Sequence, residues 1–213
     1  MVLYRIMQWP PDVLEQIKRL PESVKWVVGI DEVGRGSIAG PMVLGLCAVQ
    51  QGYERGLEQI ENLDDSKKLT PKKRQKILQA AKQVNISIIL KNYRIGPAKI
   101  DKQGIRQCYL ELLKRVIKQF PPDETIYLLD YGIPIPAEFK YYQSFRKGDA
   151  IIPAIALASI SAKESRDIYM KTTAHAKFPE YGFDTHVGYG TKKHRAQIKK
   201  LGDCEEHRKS WIK

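Results

Sequence analysis

The amino-acid sequence predicts an α/β fold built around a mixed sheet, and three observations support this prediction. Short runs rich in β-branched and apolar residues alternate with longer segments of helical periodicity. The connection between the first two runs, 24–30 and 42–49, is short, which favours an antiparallel pair of strands. The short run at 125–129 is apolar, as is typical of a central strand that is buried on both faces.

Helix and strand signals alternate along the first half of the chain. Apolar residues at helical spacing after Pro11 predict a short amphipathic helix. Thr70 followed by Pro71 is a typical helix start, because threonine caps the first turn and proline fits its first position. The helices predicted in this half are about 13–20 and 70–81, and the strands are 24–30, 42–49 and 86–95.

Helical signals dominate the second half. Apolar residues recur on one face of the segment beyond Gly104 until Pro121-Pro122 ends the helix. The strand at 125–129 follows and ends in Asp130. The segment 150–160 is rich in alanine and free of charge, which suits a helix packed on several sides. A last, basic helix is predicted at 192–201 and is closed by Gly202.

The composition indicates a globular protein with a polyanionic partner. Hydrophobic residues make up 43% of the 213 residues, while 36 Lys and Arg against 24 Asp and Glu give a net charge of +12. This balance favours nucleic acid or an anionic membrane surface, although a basic surface that serves solubility alone is the common alternative. No run approaches membrane-spanning length, and no basic amphipathic helix presents large apolar residues, so nucleic acid is the preferred partner.

The cysteines and the amino-terminal residues indicate a cytoplasmic protein. The three cysteines are odd in number and widely spaced, which fits reduced thiols better than disulfides or a metal site. Residues 1–20 do not resemble a signal peptide. No repeat, low-complexity segment or linker divides the chain, so we expect one domain over 1–213. Within it, a helical extension spans about 1–24 and a carboxyl-terminal helical segment spans about 171–213.

Acidic residues end two of the predicted strands. Asp31 and Glu32 follow the first strand and Asp130 follows the fourth, so parallel pairing of these strands would bring Asp31 and Asp130 to one sheet edge. Asp149, just ahead of the alanine-rich helix, can reach the same edge. Asp31-Glu32 alone is equally compatible with a solvated corner. Because neighbouring strand residues face opposite ways, both acids enter one site only if the strand bends, and Gly34 and Gly36 are expected to supply that bend.

Four converging carboxylates would repel one another unless cations lie among them. Hard divalent ions with oxygen ligands, Mg²⁺ or Mn²⁺, are the expected occupants, because no histidine or cysteine is near these positions in the sequence. Two such ions about 4 Å apart would clamp a phosphodiester. The acids therefore predict a metal-dependent phosphodiesterase.

Six motifs resemble the ribonuclease HII family and occur in the family's order. Residues 29–41, GIDEVGRGSIAGP, resemble the family signature, and the others match its DSKKL, third-acid, KGDA…ASI.AK..RD, HKGYGT and closing segments. The other motifs begin at Asp65, Asp130, Lys147, His186 and Leu201. The resemblance implies a ribonuclease H fold, with three antiparallel strands followed by helix-linked parallel strands.

The resemblance also implies a reaction and the residues that perform it. The expected reaction is hydrolysis of RNA in RNA–DNA hybrids and incision on the 5′ side of single ribonucleotides in duplex DNA, by a monomeric enzyme with Mg²⁺ or Mn²⁺. The implied metal ligands and catalytic residues are Asp31, Glu32, Asp130 and Asp149. Residues 34–36, Gly34-Arg35-Gly36, would sense the ribose 2′-hydroxyl, and Tyr189 would stack on a sugar. Lys67 and Lys147 are candidate phosphate contacts. Without the resemblance, Lys67 would be a solvated corner and Tyr189 a packing residue.

The sequence departs from the family pattern at several positions, and it is also compatible with other functions. Ser37 replaces a common proline, Val187 a lysine and Gly104 a common asparagine, so Gly104 is expected to break the long helix. A ribonuclease HIII or a junction resolvase would use the same fold. A non-catalytic hybrid-binding protein is disfavoured, because clustered carboxylates weaken binding to a polyanion. The three histidines at 186, 194 and 207 lack zinc-ligand spacing and are expected in surface or capping roles.

Overall fold

A computed structural model describes residues 6–212 of the chain. Within this range one five-stranded sheet has the order β3-β2-β1-β4-β5. β1, β2 and β3 pair antiparallel, whereas β4 pairs parallel with both β1 and β5. The strands are β1 (Trp26–Val33), β2 (Met42–Gln50), β3 (Ile89–Ile95), β4 (Thr125–Asp130) and β5 (Tyr141–Phe145). The predicted mixed sheet is confirmed.

β5 was not predicted from the sequence. It is an edge strand whose residues alternate between half-buried and exposed, so its sequence YYQSF carries no apolar run. β1 is longer than expected, because it continues through the acidic pair to Val33.

The helices follow the predicted order, with differences at their ends. They are α1 (Pro11–Lys18), α2 (Pro71–Ala80), α3 (Pro97–Gln119), α4 (Pro153–Ile168), α5 (His175–Lys177), α6 (Phe183–His186) and α7 (Lys192–Leu201). Thr70 caps α2 by accepting a hydrogen bond from the Lys73 amide, and Thr191 caps α7 in the same way. α3 begins before the predicted start, and Gly104 interrupts it with a φ of 77°, as expected. α4 continues as a π-helical turn, Tyr169–Ala174.

The two faces of the sheet are covered by different helices. α1, α2 and α4 pack on one face, while α3 covers the other. Two glycines let α4 approach closely: a Cβ atom would lie 2.3 Å from the Ala154 carbonyl carbon at Gly29 and 2.4 Å from the Ala158 oxygen at Gly45. Since Gly45 pairs with Asp31, this approach brings the middle of α4 beside the first acid.

The carboxyl-terminal segment forms a smaller apolar cluster beside the end of β1. Met170, Tyr181 and Phe183 pack there around Ala39, which belongs to the loop between β1 and β2. The amides of Ile38 and Ala39 both donate hydrogen bonds to the Gly188 oxygen, at 3.1 Å. No helix in residues 6–212 is long and apolar enough to cross a membrane.

Candidate active site

Asp31 and Glu32 lie on opposite faces of the sheet at its carboxyl edge. Asp31 points toward α4, where the nearby Ser159 hydroxyl lowers the pKa of its carboxyl, and its Oδ1 accepts a hydrogen bond of 2.7 Å from the Glu32 amide. Glu32 points toward α3 and faces the Tyr109 hydroxyl. The expected bend between the acids is not observed. β1 stays extended through both residues, and the first residue after them with a positive φ is Gly34. Asp130 nevertheless acts electrostatically on both acids, since the β1–β4 pairing ends just before them, at Ile30 and Leu129.

Asp130 and Asp149 are joined through a tight turn. Asp130 follows Ile126 and Leu128 in the alternation of β4, which places it on the α4 face with Asp31. Its Oδ1 accepts a hydrogen bond of 2.8 Å from the amide of Gly148. The next residue, Asp149, is buried and begins the approach to α4. The four predicted acids therefore come from β1, β4 and the turn before α4, and they meet at one edge of the sheet.

Burial and mutual repulsion make these carboxylates reluctant to ionise together. Burial is the main cause that raises the pKa of Asp31 to about 8, and the charges of Glu32 and Asp130 add to it. Burial likewise raises the pKa of Glu32 to about 7, against the lowering effects of Tyr109 and Arg35. Burial and the nearby Asp65 raise the pKa of Asp149 to about 6. Such a set favours a bound cation, which would remove the repulsion.

One oxygen of Glu32 also fits a metal ligand. Glu32 Oε2 is buried and lacks a hydrogen-bond partner, and the Tyr109 hydroxyl that faces the carboxylate completes no bond of standard geometry with it. Buried polar atoms are normally paired, so this oxygen is available to a cation. Within residues 6–212 no three acid, histidine or cysteine side chains already surround a common ion position. An ion bound here would therefore have to draw the carboxylates closer.

An open cleft of about 510 Å³ lies beside Asp130 and Asp149. Its charged rim includes both predicted lysines, and the Nζ atom of Lys67 lies 4.0 Å from Asp149 Oδ2. Lys147 has a left-handed φ of 58° immediately before the Gly148 turn. The cleft is thus acidic at its base and basic at its rim, an arrangement that suits a phosphodiester bound over cations. The cations of the rim are Lys67, Lys68, Arg146 and Lys147.

The sequence analysis missed an aromatic–cation pair on this rim. The Tyr131 side chain is 59% exposed, and the Arg146 guanidinium carbon lies 4.9 Å from the centre of its ring. Tyr131 follows Asp130 and Arg146 precedes Lys147, so each is next to a predicted site residue. Their contact depends on the pairing of Asp130 with Phe145 in β5, the strand that was not predicted.

The two glycines of the Gly34-Arg35-Gly36 turn have different roles in the fold. Gly34 has a φ of +86°, and a Cβ atom there would lie 2.3 Å from Arg166 Nε and 2.7 Å from the Pro41 oxygen. The fold therefore requires glycine at this position. Gly36 has no positive φ, and a Cβ atom there would meet nothing within 4 Å. The space above Gly36 is open to a ligand.

Arg35 connects the turn to the acidic residues. Its guanidinium lies against the chain reversal after β4, where a Cβ atom at Gly132 would be 2.8 Å from Arg35 Nη1. The charge of Arg35 also lowers the pKa of Glu32. The predicted ribose-sensing turn thus lies against the chain reversal after Asp130 and acts electrostatically on Glu32.

Two buried arginines hold this turn in place. Arg166 donates hydrogen bonds to the carbonyl oxygens of Ala39, Pro41 and Val187 at 2.8–3.0 Å. Arg208 donates to the carbonyl oxygens of Gly40 and Arg35. Both side chains are fully buried, so each carbonyl has an internal donor in place of water.

Tyr189 packs against one of these two arginines. Its side chain is 37% exposed, and its ring centre lies 5.4 Å from the Arg166 guanidinium carbon and 5.6 Å from Lys163 Nζ. The preceding residue, Gly188, has a φ of +84°, and a Cβ atom there would be 2.3 Å from the Ala39 oxygen. The structure therefore brings Tyr189 and the glycine turn together, although 153 positions separate Gly36 from Tyr189 (189 − 36).

Comparison with known proteins identifies the family to which this site belongs. A model of the ribonuclease HII family matches residues 28–213, a span that contains every predicted site residue. The chain belongs to the ribonuclease HII family. The ribonuclease HII of Chlamydia abortus is 39% identical over 193 residues, which are 89% of this chain and 85% of that protein. As a member of this family, the protein is an endoribonuclease of the ribonuclease H type.

Solved structures share its ribonuclease H-like fold. Ribonuclease H2 of Pyrococcus horikoshii is 25% identical with a TM-score of 0.68, covering 87% of this chain and 93% of that one. A ribonuclease HIII named Bst-RNase HIII, solved in complex with Mn²⁺, is 18% identical with a TM-score of 0.59, covering 87% of this chain and 65% of that one. The similarity to this ribonuclease HIII shows a shared fold only.

Proposed function

We propose that this protein hydrolyses the RNA strand of RNA–DNA hybrids and incises duplex DNA on the 5′ side of a single embedded ribonucleotide. The observation that carries this proposal is the contact between the acidic edge and the glycine turn. Arg35 lies against the chain reversal after Asp130, while Gly188, the residue before Tyr189, binds Ile38 and Ala39 in the loop that begins with the glycine turn. Hydrolysis and recognition of ribose thus belong to one continuous surface.

The four carboxylates are proposed to hold two divalent ions, Mg²⁺ or Mn²⁺. Their raised pKa values and the unpartnered Glu32 Oε2 fit this role, and their oxygen ligands suit hard cations. When bound, such ions supply an activated water and stabilise the leaving oxygen. The chain itself orients two of the proposed ligands: the Gly148 amide holds Asp130 Oδ1, and the Glu32 amide holds Asp31 Oδ1.

The glycine turn and Tyr189 are proposed to select the ribose. Backbone groups at an open glycine can approach a 2′-hydroxyl, the group that distinguishes RNA from DNA at a single nucleotide. The partly exposed ring of Tyr189 is available to stack on the neighbouring sugar. The basic rim of the cleft, including Lys67 and Lys147, would contact phosphates.

We also propose a cellular location and an oligomeric state for the enzyme. The three cysteines are free thiols, two of them buried, which suits a reducing cytoplasm. We further propose a single-domain monomer whose carboxyl-terminal segment, about 171–213, contacts the substrate through Tyr189.

The test is incubation of the purified protein with duplex DNA that contains one ribonucleotide, beside an all-DNA duplex. We expect a single cut 5′ of the ribonucleotide, with 3′-hydroxyl and 5′-phosphate ends, in Mg²⁺ or Mn²⁺. Chelation with EDTA should stop the reaction, and excess Mg²⁺ should restore it. No cut, or equal cutting of both duplexes, would contradict the proposal.

Gly36→Ala is expected to impair recognition without impairing the fold. Because the added Cβ atom meets no protein atom, the free energy of unfolding should change by less than about 1 kcal/mol. The methyl group would occupy the space proposed for the ribose, so kcat/KM for the single-ribonucleotide duplex should fall by about 10-fold or more. Denaturant titration and steady-state cleavage measure the two effects.

The control for this substitution is Gly96→Ala. A Cβ atom at Gly96 also meets nothing within 4 Å, and Gly96 follows the edge strand β3, which β2 separates from β1. Gly96→Ala should leave cleavage unchanged. Equal activity of Gly36→Ala and the wild type would show that the ribose does not approach this glycine.

A further inference from the structure

Three histidines form a buried cluster beneath the Tyr189 loop. His186, His194 and His207 are each less than a tenth exposed, so the expectation of surface positions for them was wrong, although all three bond to backbone groups. The rings of His186 and His194 stack with centres 4.0 Å apart, and His194 Nε2 lies 3.0 Å from His207 Nε2. Phe183 contributes a ring to the same cluster, within 6 Å of each histidine. The long-range contacts between α6, α7 and the tail bring the three together.

Backbone groups fix the tautomer of every ring. The Cys204 amide donates to His207 Nδ1 at 2.8 Å, so the proton of His207 is on Nε2 and is donated to His194 Nε2. The proton of His194 is consequently on Nδ1, which donates to the Tyr189 oxygen at 2.9 Å. His186 accepts from the Gly188 amide through Nδ1 and donates to the Tyr181 oxygen through Nε2.

This network leaves no ring nitrogen free. Each acceptor nitrogen already accepts a hydrogen bond from an N–H group, so its lone pair is not available to a metal ion. A proton added to that nitrogen would point at another N–H group, which is unfavourable. Burial lowers the pKa of all three rings, that of His194 to about 4. Asp184 and Asp203 oppose this effect, while Lys193 and Arg195 reinforce it. The cluster is therefore neutral at physiological pH.

Two hydrogen bonds leave the cluster for the backbone of the Tyr189 loop. They end on the Gly188 amide and on the Tyr189 oxygen, and the Gly188 oxygen in turn accepts the hydrogen bonds that connect this loop to Ile38 and Ala39. We infer that His194 is a positioning residue that fixes Tyr189 for stacking on the substrate, with His207 holding the required tautomer. This inference rests on the proposed role of Tyr189 in recognising the single ribonucleotide.

A pair of isosteric substitutions separates this role from packing. His194→Asn places an amide nitrogen near the Nδ1 position, so it keeps the bond to the Tyr189 oxygen and loses the acceptor for His207. His194→Gln places its amide near the Nε2 position, so it keeps a partner for His207 and loses the bond to Tyr189. Both variants remove one ring and one hydrogen bond, and each serves as the control for the other.

The readout is kcat and KM on the single-ribonucleotide duplex, with Tyr189→Ala as the reference. His194→Gln should lower kcat/KM by about 5- to 10-fold, the effect of one lost positioning hydrogen bond, whereas His194→Asn should remain within about 2-fold of the wild type. On the Tyr189→Ala background His194→Gln should cause little further loss. Both single variants should unfold at similar denaturant concentrations.

Equal losses in the two variants, or additive losses with Tyr189→Ala, would overturn the inference and leave the cluster a packing element. If His194→Gln does not fold, His207→Gln and His207→Leu replace the pair: the first keeps the donor to His194 and should retain activity, and the second should lose it. Equal activity of those two would also overturn the inference. A wild-type protein that does not cut the ribonucleotide duplex would instead refute the proposed function itself.

Discussion

Asp130→Asn is expected to abolish cleavage while the protein stays folded and still binds its substrate. Asparagine has the same shape and keeps an oxygen that can accept the hydrogen bond from the Gly148 amide. It removes the negative charge that the proposed ions require. We expect kcat to fall by about 10³-fold or more, which corresponds to about 4 kcal/mol of transition-state stabilisation.

Three measurements distinguish loss of chemistry from loss of binding or stability. Cleavage in Mg²⁺ gives the rate, and fluorescence anisotropy with Ca²⁺ gives the affinity for uncut duplex. Denaturant titration in EDTA gives stability, which should not decrease, because Asp130 adds to the repulsion on Asp31 and Glu32. Asp123→Asn is the control, since this exposed carboxylate lies just before β4, at the opposite end of the strand. A near-normal rate for Asp130→Asn would show that the metal assignment is wrong.

The sequence was sufficient to predict the elements that carry the acids, since apolar composition alone identifies β1, β2 and β4. It also predicted that Asp31 and Asp130 meet, because both follow strands that prove to be parallel neighbours. It did not predict how Glu32 joins them. β1 stays extended, and Glu32 lies on the α3 face, where Tyr109 and Arg35 surround it. That environment is set by side chains from distant elements.

Long-range contacts also explain what the sequence could not predict about recognition. The motif at 34–36 contains two glycines that look equivalent in the sequence. Only Gly34 is required by the fold, because Arg166 from α4 fills the space where its side chain would be. Similarly, the sequence spacing of the three histidines does not reveal that they form one buried cluster. Nor does this spacing show that the hydrogen bonds from His207 through His194 end on the Tyr189 oxygen. Local sequence patterns identify candidate functional residues, whereas contacts between distant elements determine the role of each residue.

Arg166→Met is expected to lower the free energy of unfolding more than any of the other substitutions proposed above. It would leave the carbonyl oxygens of Ala39, Pro41 and Val187 buried without a donor. Removing one side of a buried, charged hydrogen-bond set should lower the free energy of unfolding by about 3–5 kcal/mol. Arg166→Lys keeps a charge but cannot reproduce a planar fork that reaches three carbonyls, so most of the loss should remain. Denaturant titration measures both variants, with Lys171→Met as an exposed control that should change stability by less than about 0.5 kcal/mol.

Loss of Arg166 should also separate the glycine turn from Tyr189. Its guanidinium is shared by the carbonyls of the turn, the carbonyl of Val187 and the face of the Tyr189 ring. Assayed at a low temperature where it is folded, Arg166→Met should therefore lose more activity on the single-ribonucleotide duplex than on a long hybrid, which offers many ribose contacts. Equal losses on the two substrates would mean that the turn and Tyr189 keep their positions independently. In that case the recognition surface would be held by Arg208 and the backbone bonds at Gly188 alone, and Arg166 would serve stability only.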